Sequence, residues 1–277
     1  MAVLLALCSA AAYGVGDFCG GMAARRVPTA TVVLWSHLLA LLLLAVATPL
    51  VSGTASGGDL LIGGVGGLAG AAGVGLLYKG LSVGPMSVVA PITALLSAAV
   101  PVAAGLVEGE RPSGSVALGM AGALVAIVLV SAEGGGSLRP SDLRGLSFAL
   151  GAGLGFGLFF VALSHTGDGA GIWPLLAARA ASVTLLGGLA LNGRIDRAAP
   201  AEGARSFTAA AGILDMTANL LYLLAVRRGL LSVVSVLAAL YPVTTVVLAR
   251  LVLKERFANV QRLGMAIALP AAILMAR

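Results

Sequence analysis

Apolar stretches long enough to cross a lipid bilayer follow one another along this chain almost without interruption. A membrane-spanning helix needs about 20 mostly apolar residues, since the hydrocarbon layer is about 30 Å thick and each helical residue rises about 1.5 Å. Ten such stretches can be marked: 2–23, 29–51, 60–79, 85–107, 114–132, 143–164, 171–191, 206–226, 231–253 and 258–276. A Gly/Ser/Pro-rich linker at 133–142 and a polar connection at 192–205 are the main interruptions, leaving no room for a separate soluble domain. Composition closes the alternative. Residues are 59% hydrophobic and 10% charged, where a soluble domain carries about 25% charged residues, and the mean hydropathy is +1.06. The chain reads as an all-α integral membrane protein with ten transmembrane helices.

The second constraint is internal repetition. Adding 145 to a residue number between Gly84 and Ala132 lands on its counterpart without a gap, with 20 identities in 49 positions. Abundant Ala, Leu and Val inflate that count. The rarer matches carry the weight: Ser87/Ser232, Glu110/Glu255, Arg111/Arg256 and Met120/Met265. The offset maps the fourth and fifth spans onto the ninth and tenth, so the unit is five spans, 1–132 and 143–277 flanking the linker. An odd number of spans per unit makes the halves enter the membrane in opposite directions. That is the inverted-repeat plan of carriers, with the solute expected between the halves near mid-membrane.

Net charge is +6, but no basic cluster interleaved with aromatics appears, so nucleic acid is not expected as a partner. The lipid bilayer and a small-molecule substrate are the expected partners, and the reading leaves room for a homodimer. Cys8 and Cys19 lie eleven residues apart in one span, about 16 Å along a helix and too far to bridge. No Cys/His metal spacing and no phosphate-cradling GxxxxGK[ST] stretch occurs, so neither a metal nor another cofactor is expected. The first apolar run has no basic residue before it and continues to about Met22, so it reads as a span rather than a leader.

Glycines recur at four-residue spacing. Gly63/Gly67 and Gly66/Gly70 overlap in the third span, and Gly151/Gly155 and Gly153/Gly157 in the sixth. Such pairs let helix backbones approach closely; they pack the bundle or let its helices slide. Pro91, Pro101 and Pro242 fall inside spans, where each removes a backbone hydrogen bond and kinks the helix or frees a carbonyl.

Gly109-Glu110-Arg111-Pro112 after the fourth span and Lys254-Glu255-Arg256-Phe257 after the ninth resemble the paired motif of the EamA-like branch of the drug/metabolite transporter superfamily. Tyr13-Gly14-Val15-Gly16-Asp17-Phe18 and the run from Pro85 to Pro91 add to the resemblance, which covers essentially the whole chain. At Tyr13-Gly14 relatives commonly carry Trp-Gly. The resemblance implies a secondary carrier that exports or exchanges small organic solutes, and no single cargo. It also implies cytoplasmic termini. The Lys and Arg residues, gathered in the odd-numbered loops, place the termini outside by the positive-inside rule, so the two assignments differ.

An ionisable side chain at mid-membrane costs about 2.5–3.5 kcal/mol on insertion scales, so each needs a partner or a watery cavity. Asp215, Asn219 and Tyr222 share one face of the eighth span at i, i+4 and i+7. This row could bind a polar solute, hold a proton, or form a structural network with Arg179 or Arg250. Asp17 lies four residues after Tyr13 and could gate the site or pair with Arg25. His37 is a packing residue or a proton relay. Arg179 and Arg250 either bind an anionic group or snorkel. Phe156 and Phe159, with Phe160, could wall an apolar substrate, as could Tyr13 and Tyr241. Lys79 and the two Glu-Arg pairs read as interfacial anchors or gates.

The sequence expectation is thus a secondary transporter in a cell membrane. Arginine outnumbers lysine 15 to 2, which fits a GC-rich bacterial genome and hence a multi-pass inner-membrane protein. The alternatives are a membrane-embedded lipid-modifying enzyme, which needs clustered carboxylates or a nucleophile–base pair, and a channel. No GxSxG or HExxH stretch supports an enzyme.

Overall fold

A computed structural model of the chain describes all residues except 84–85, 132–139, 254–257 and 277, and only the backbone at 81–83, 86–88, 131, 140–144, 246, 249–250 and 253. The described residues form eleven α-helices: α1 (Ala2–Ala24), α2 (Thr29–Ala47), α3 (Gly57–Val83), α4 (Met86–Val107), α5 (Gly114–Ser131), α6 (Pro140–Ser164), α7 (Trp173–Leu191), α8 (Glu202–Val226), α9 (Leu231–Ala238), α10 (Tyr241–Leu253) and α11 (Asn259–Met275). Among the described residues there is no strand. Seven helical segments are long and apolar enough to cross a membrane: Ala2–Ala24, Thr29–Leu50, Gly57–Gly80, Val89–Val107, Gly145–Ser164, Trp173–Leu191 and Glu202–Val226. Three shorter apolar segments, Gly114–Val130, Leu231–Thr245 and Asn259–Met275, complete the bundle. Leucines such as Leu42, Leu61, Leu118 and Leu269 stand exposed on its outside, where lipid would cover them.

The expected ninth span, 231–253, is not one helix. It breaks at Ala239 and Leu240, between α9 and α10. Pro242 explains the break: it has no N–H to offer the carbonyl four residues back, and its ring crowds that turn. The backbone is instead carried by tighter bonds, Leu240 N to Leu237 O and Val243 N to Leu240 O. Every residue from Leu231 to Pro242 is buried, so this broken element runs through the middle of the bundle. Pro91 and Pro101, by contrast, sit inside a continuous α4.

The halves interlock rather than lie side by side. With α9 and α10 together as counterpart of α4, the most extensive packings have a mirror five helices on. α1 lies on α8 as α6 lies on α3. α6 lies on α4 as α1 lies on α9 and α10. α7 lies on α3 as α2 lies on α8. Three contacts are their own mirror: α5 with α11, α4 with α9, and α2 with α7.

The overlapping glycine pairs make this interlocking possible. On α3, Gly63 and Gly67 face Pro174 and Ala178 of α7, while Gly66 and Gly70 face Phe159 and Ala162 of α6. On α6, Gly151 and Gly155 face α3, while Gly153 and Gly157 face Thr93, Leu96 and Val100 of α4. Each offset pair therefore seats one helix against two neighbours. A Cβ at Gly155 would stand 2.7 Å from the Ala69 carbonyl oxygen, closer than backbone and side chain can tolerate.

Polar contacts hold the bundle at its two ends. At one, Thr31 Oγ1 and Trp35 Nε1 donate to the carbonyls of Asp196 and Ala198, each at 3.1 Å, and the Arg26 guanidinium donates to Gly203 O. At the other, Gly167 N donates to Asp59 Oδ1 at 2.7 Å, and Arg227 donates to the Gly171 and Gly167 carbonyls at 2.9 and 3.0 Å. The Glu110 carboxylate accepts from Leu231 N at 2.5 Å and Ser232 N at 3.0 Å. It thereby caps the N-terminus of α9, where orphan N–H groups and the helix dipole favour an anion.

Candidate functional site

The helix crossings leave a partly enclosed, narrow cleft between the halves. The first half contributes Tyr13, Gly16 and Asp17 from α1, Ser36 and His37 from α2, Val74 and Tyr78 from α3, and Ser97 from α4. The second contributes Phe156 and Phe160 from α6, Ala211 and Asp215 from α8, and Tyr241 from α10. Small residues bring these elements together. Gly16 lies against Leu214 and Asp215 of α8, and Gly212 lies against the backbone of Ser36.

One wall is an ionic chain across α2, α7 and α8. The Arg179 guanidinium pairs with Asp215 Oδ2. Its other nitrogen lies 3.1 Å from His37 Nε2, and His37 Nδ1 lies 3.0 Å from Ser182 Oγ, which donates to the Arg179 carbonyl at 3.0 Å. A guanidinium only donates, and this guanidinium nitrogen lies within 3.1 Å of Nε2 and 3.4 Å of Nδ1, so the His37 ring is the acceptor of the contact. His37, Arg179 and Ser182 are all buried. His37 and Ser182 are 145 residues apart, the offset of the repeat, and meet where α2 crosses α7.

A second chain fixes the aromatic wall. Asn219 Nδ2 donates to the Asp215 carbonyl at 2.7 Å, and Asn219 Oδ1 accepts from the Tyr13 hydroxyl at 2.7 Å. The Tyr222 hydroxyl and Ser235 Oγ are 2.7 Å apart. The Tyr222 ring stacks on Phe160 at 4.2 Å and 19°, and the Tyr13 ring lies 6.0 Å from Phe160, tilted by 53°. Offset and tilted ring pairs of this kind are worth about 0.5–1.5 kcal/mol beyond burial.

Of the sequence candidates, Tyr13, Asp17, His37, Phe156, Asp215 and Tyr241 line the cleft. Arg179, Asn219 and Tyr222 stand directly behind it and hold its walls. Phe159 packs under Gly66 and Gly70 of α3 instead. The Arg250 side chain lies outside the described residues, as does the whole Glu255-Arg256 pair. Arg25 is exposed, and among the described residues Asp17 forms no ion pair with it or with any other cation. Arg179 does not reach out toward an interface; it turns inward to Asp215. Sequence reasoning did not single out Tyr78, Ser36, Ser97 and Ser182 for the site. Tyr78 had a signal, its position within one residue of the Tyr222 counterpart. Ser97 and Ser182 have none beyond being hydroxyls in apolar spans.

Fold and site together define a helical membrane protein built of two interlocked halves around a polar cleft. The family model described as "EamA-like transporter family" matches residues 1–132 and 143–277, and the chain belongs to that family, whose members are generally transporters. Among solved structures, one titled only "Crystal structure of protein" has the same fold, with a TM-score of 0.79 at 15% identity, covering 99% of this chain and 98% of the other. No curated protein matches the chain.

Proposed function

We propose that this chain is a secondary transporter that moves a small organic solute by alternating access, with the cleft between its halves as the binding site. The observation that carries this reading is the cleft's construction. Both halves line it, and its ionic chain joins α2 of one half to α7 and α8 of the other. A relative movement of the halves would open and close such a site, as expected where two repeats bracket a central substrate. The helices, with α9 and α10 counted as one broken span, are read as ten spans in two inverted five-helix repeats of a multi-pass protein in a bacterial inner membrane. The packing that repeats five helices on supports that topology.

In this reading the Asp215–Arg179–His37 chain is the bistable element that substrate binding or a coupling ion would bias. A panel of metabolites offered to proteoliposomes holding the purified protein tests the proposal. Expected is saturable uptake of a subset, abolished or uncoupled from the driving gradient by Asp215→Asn, with membrane insertion unchanged. Wild-type rates from Asp215→Asn vesicles at every pH tested would remove Asp215 from the mechanism. Uptake that never saturates would point to a channel.

A further inference from the structure

The polar groups of the cleft divide into those already spent on the protein and those left over. Asp215 is paired with Arg179. The Tyr13 hydroxyl is committed to Asn219, and Ser36 and Ser97 donate to their own helices at Val33 O and Ala94 O. Two groups remain. The Asp17 carboxylate has no hydrogen bond or ion pair among the described residues. The Tyr241 hydroxyl is buried without a partner among the described residues and lines the same cleft as Asp17. An unpaired carboxylate and an unsatisfied buried hydroxyl are each costly, and both line the same space.

With Arg179 paired to Asp215, the Asp17 carboxylate is the one acidic group lining the cleft that has no cation beside it among the described residues. Around it stand the rings of Phe156, Phe160 and Tyr78, whose faces attract cations and accept apolar surface. The group that could have received a carboxylate, the Arg179 guanidinium, is already engaged by Asp215 and His37. From this we infer that the cleft selects monovalent organic cations, amines or quaternary ammonium ions with an aromatic or apolar body, the charge on Asp17 and the body among the rings. This rests on the reading of the cleft as the transporter's binding site and supplies its substrate class.

Binding to purified full-length protein in nanodiscs, measured calorimetrically, tests the inference with four probes of one size: benzyltrimethylammonium, phenethylamine, phenylalanine and phenylacetate. The two cations are expected to bind at least about tenfold more tightly than the zwitterion and the anion, the margin of one charge-assisted contact. Asp17→Asn should lose about tenfold in cation affinity and Tyr241→Phe about threefold, while the exposed, remote Glu108→Gln changes nothing. Tighter binding of phenylacetate or phenylalanine by the wild type overturns the inference, as does absence of binding by all four. The wild-type series does not depend on any variant folding. Counterflow in proteoliposomes with the same probes separates the two readings. Cation binding without counterflow keeps the site and removes the carrier. Counterflow of phenylalanine or phenylacetate, with no cation binding, keeps the carrier and removes the cation site.

Discussion

At the scale of single residues, the Arg179–Asp215 pair illustrates what a low-dielectric interior demands. Each charge is tolerated because the other is there, and His37 supplies the acceptor that completes the guanidinium's bonding. Removing one partner of such a pair costs about 3–5 kcal/mol, whereas replacing both by apolar groups is often neutral. Arg179→Leu should therefore lower the unfolding temperature in detergent clearly, and Arg179→Leu with Asp215→Leu should restore most of it. A double variant no more stable than the single one would mean the pair contributes little to the fold. The face that joins Asp215, Asn219 and Tyr222 was legible from their spacing on one helix. Arg179 was one of the two partners expected for Asp215, but Tyr13 and Ser235 were not legible as partners of Asn219 and Tyr222, because they reach them from two other helices and no local pattern encodes a crossing. Of the two roles open to Asp17, pairing with Arg25 does not form among the described residues, and depth along a span could not tell this because it says nothing about which face is buried.

At the scale of elements, the chain's boundaries were readable because a hydrophobic run and a helix share the same physical limits. The exception is the broken segment at Ala239 and Leu240, where Pro242 ends one hydrogen-bond ladder and starts another. Proline alone could not announce this, as α4 runs through Pro91 and Pro101 unbroken. At the start of α9 the carboxylate of Glu110, a residue of the other half, accepts from the N–H groups of Leu231 and Ser232. Glu110→Gln keeps the shape and removes the charge. It should cost about 1 kcal/mol at the cap and speed amide hydrogen exchange at Leu231 and Ser232 about fivefold, read by site-resolved exchange; unchanged protection would show that the contact is incidental. The glycine pairs make a sharper claim. Gly155→Val should destabilise by more than about 1–3 kcal/mol, the usual cost of overpacking, because the obstruction is the backbone of Ala69 and Gly73 and cannot swing away. Gly75→Ala, with nothing within 4 Å of the added carbon, should leave stability unchanged in the same melt.

At the scale of the whole molecule, the repeat visible at an offset of 145 residues reappears as a packing scheme in which each half grips the other. Sequence comparison found it only in the last two spans of each half, where Glu-Arg and Gly-Met anchor the alignment. The first three spans of each half have diverged, and they supply all of the cleft's lining except Ser97 and Tyr241. Symmetry was thus most legible where the scaffold is uniform and least legible where the binding residues differ, as with His37 facing Ser182. Ten spans put the loop after α1 and the loop after α8 on opposite sides of the membrane. With Cys8 and Cys19 replaced, cysteines introduced by Arg25→Cys and Arg228→Cys should react with an impermeant maleimide from opposite faces of sealed vesicles; labelling from one face would reject that topology. The central claim, that the cleft is loaded from one side and emptied to the other, is tested most directly by solute counterflow. Proteoliposomes preloaded with unlabelled solute should take up the labelled solute faster than empty ones and overshoot before equilibrating. Uptake that rises linearly with concentration, indifferent to solute inside, would contradict it.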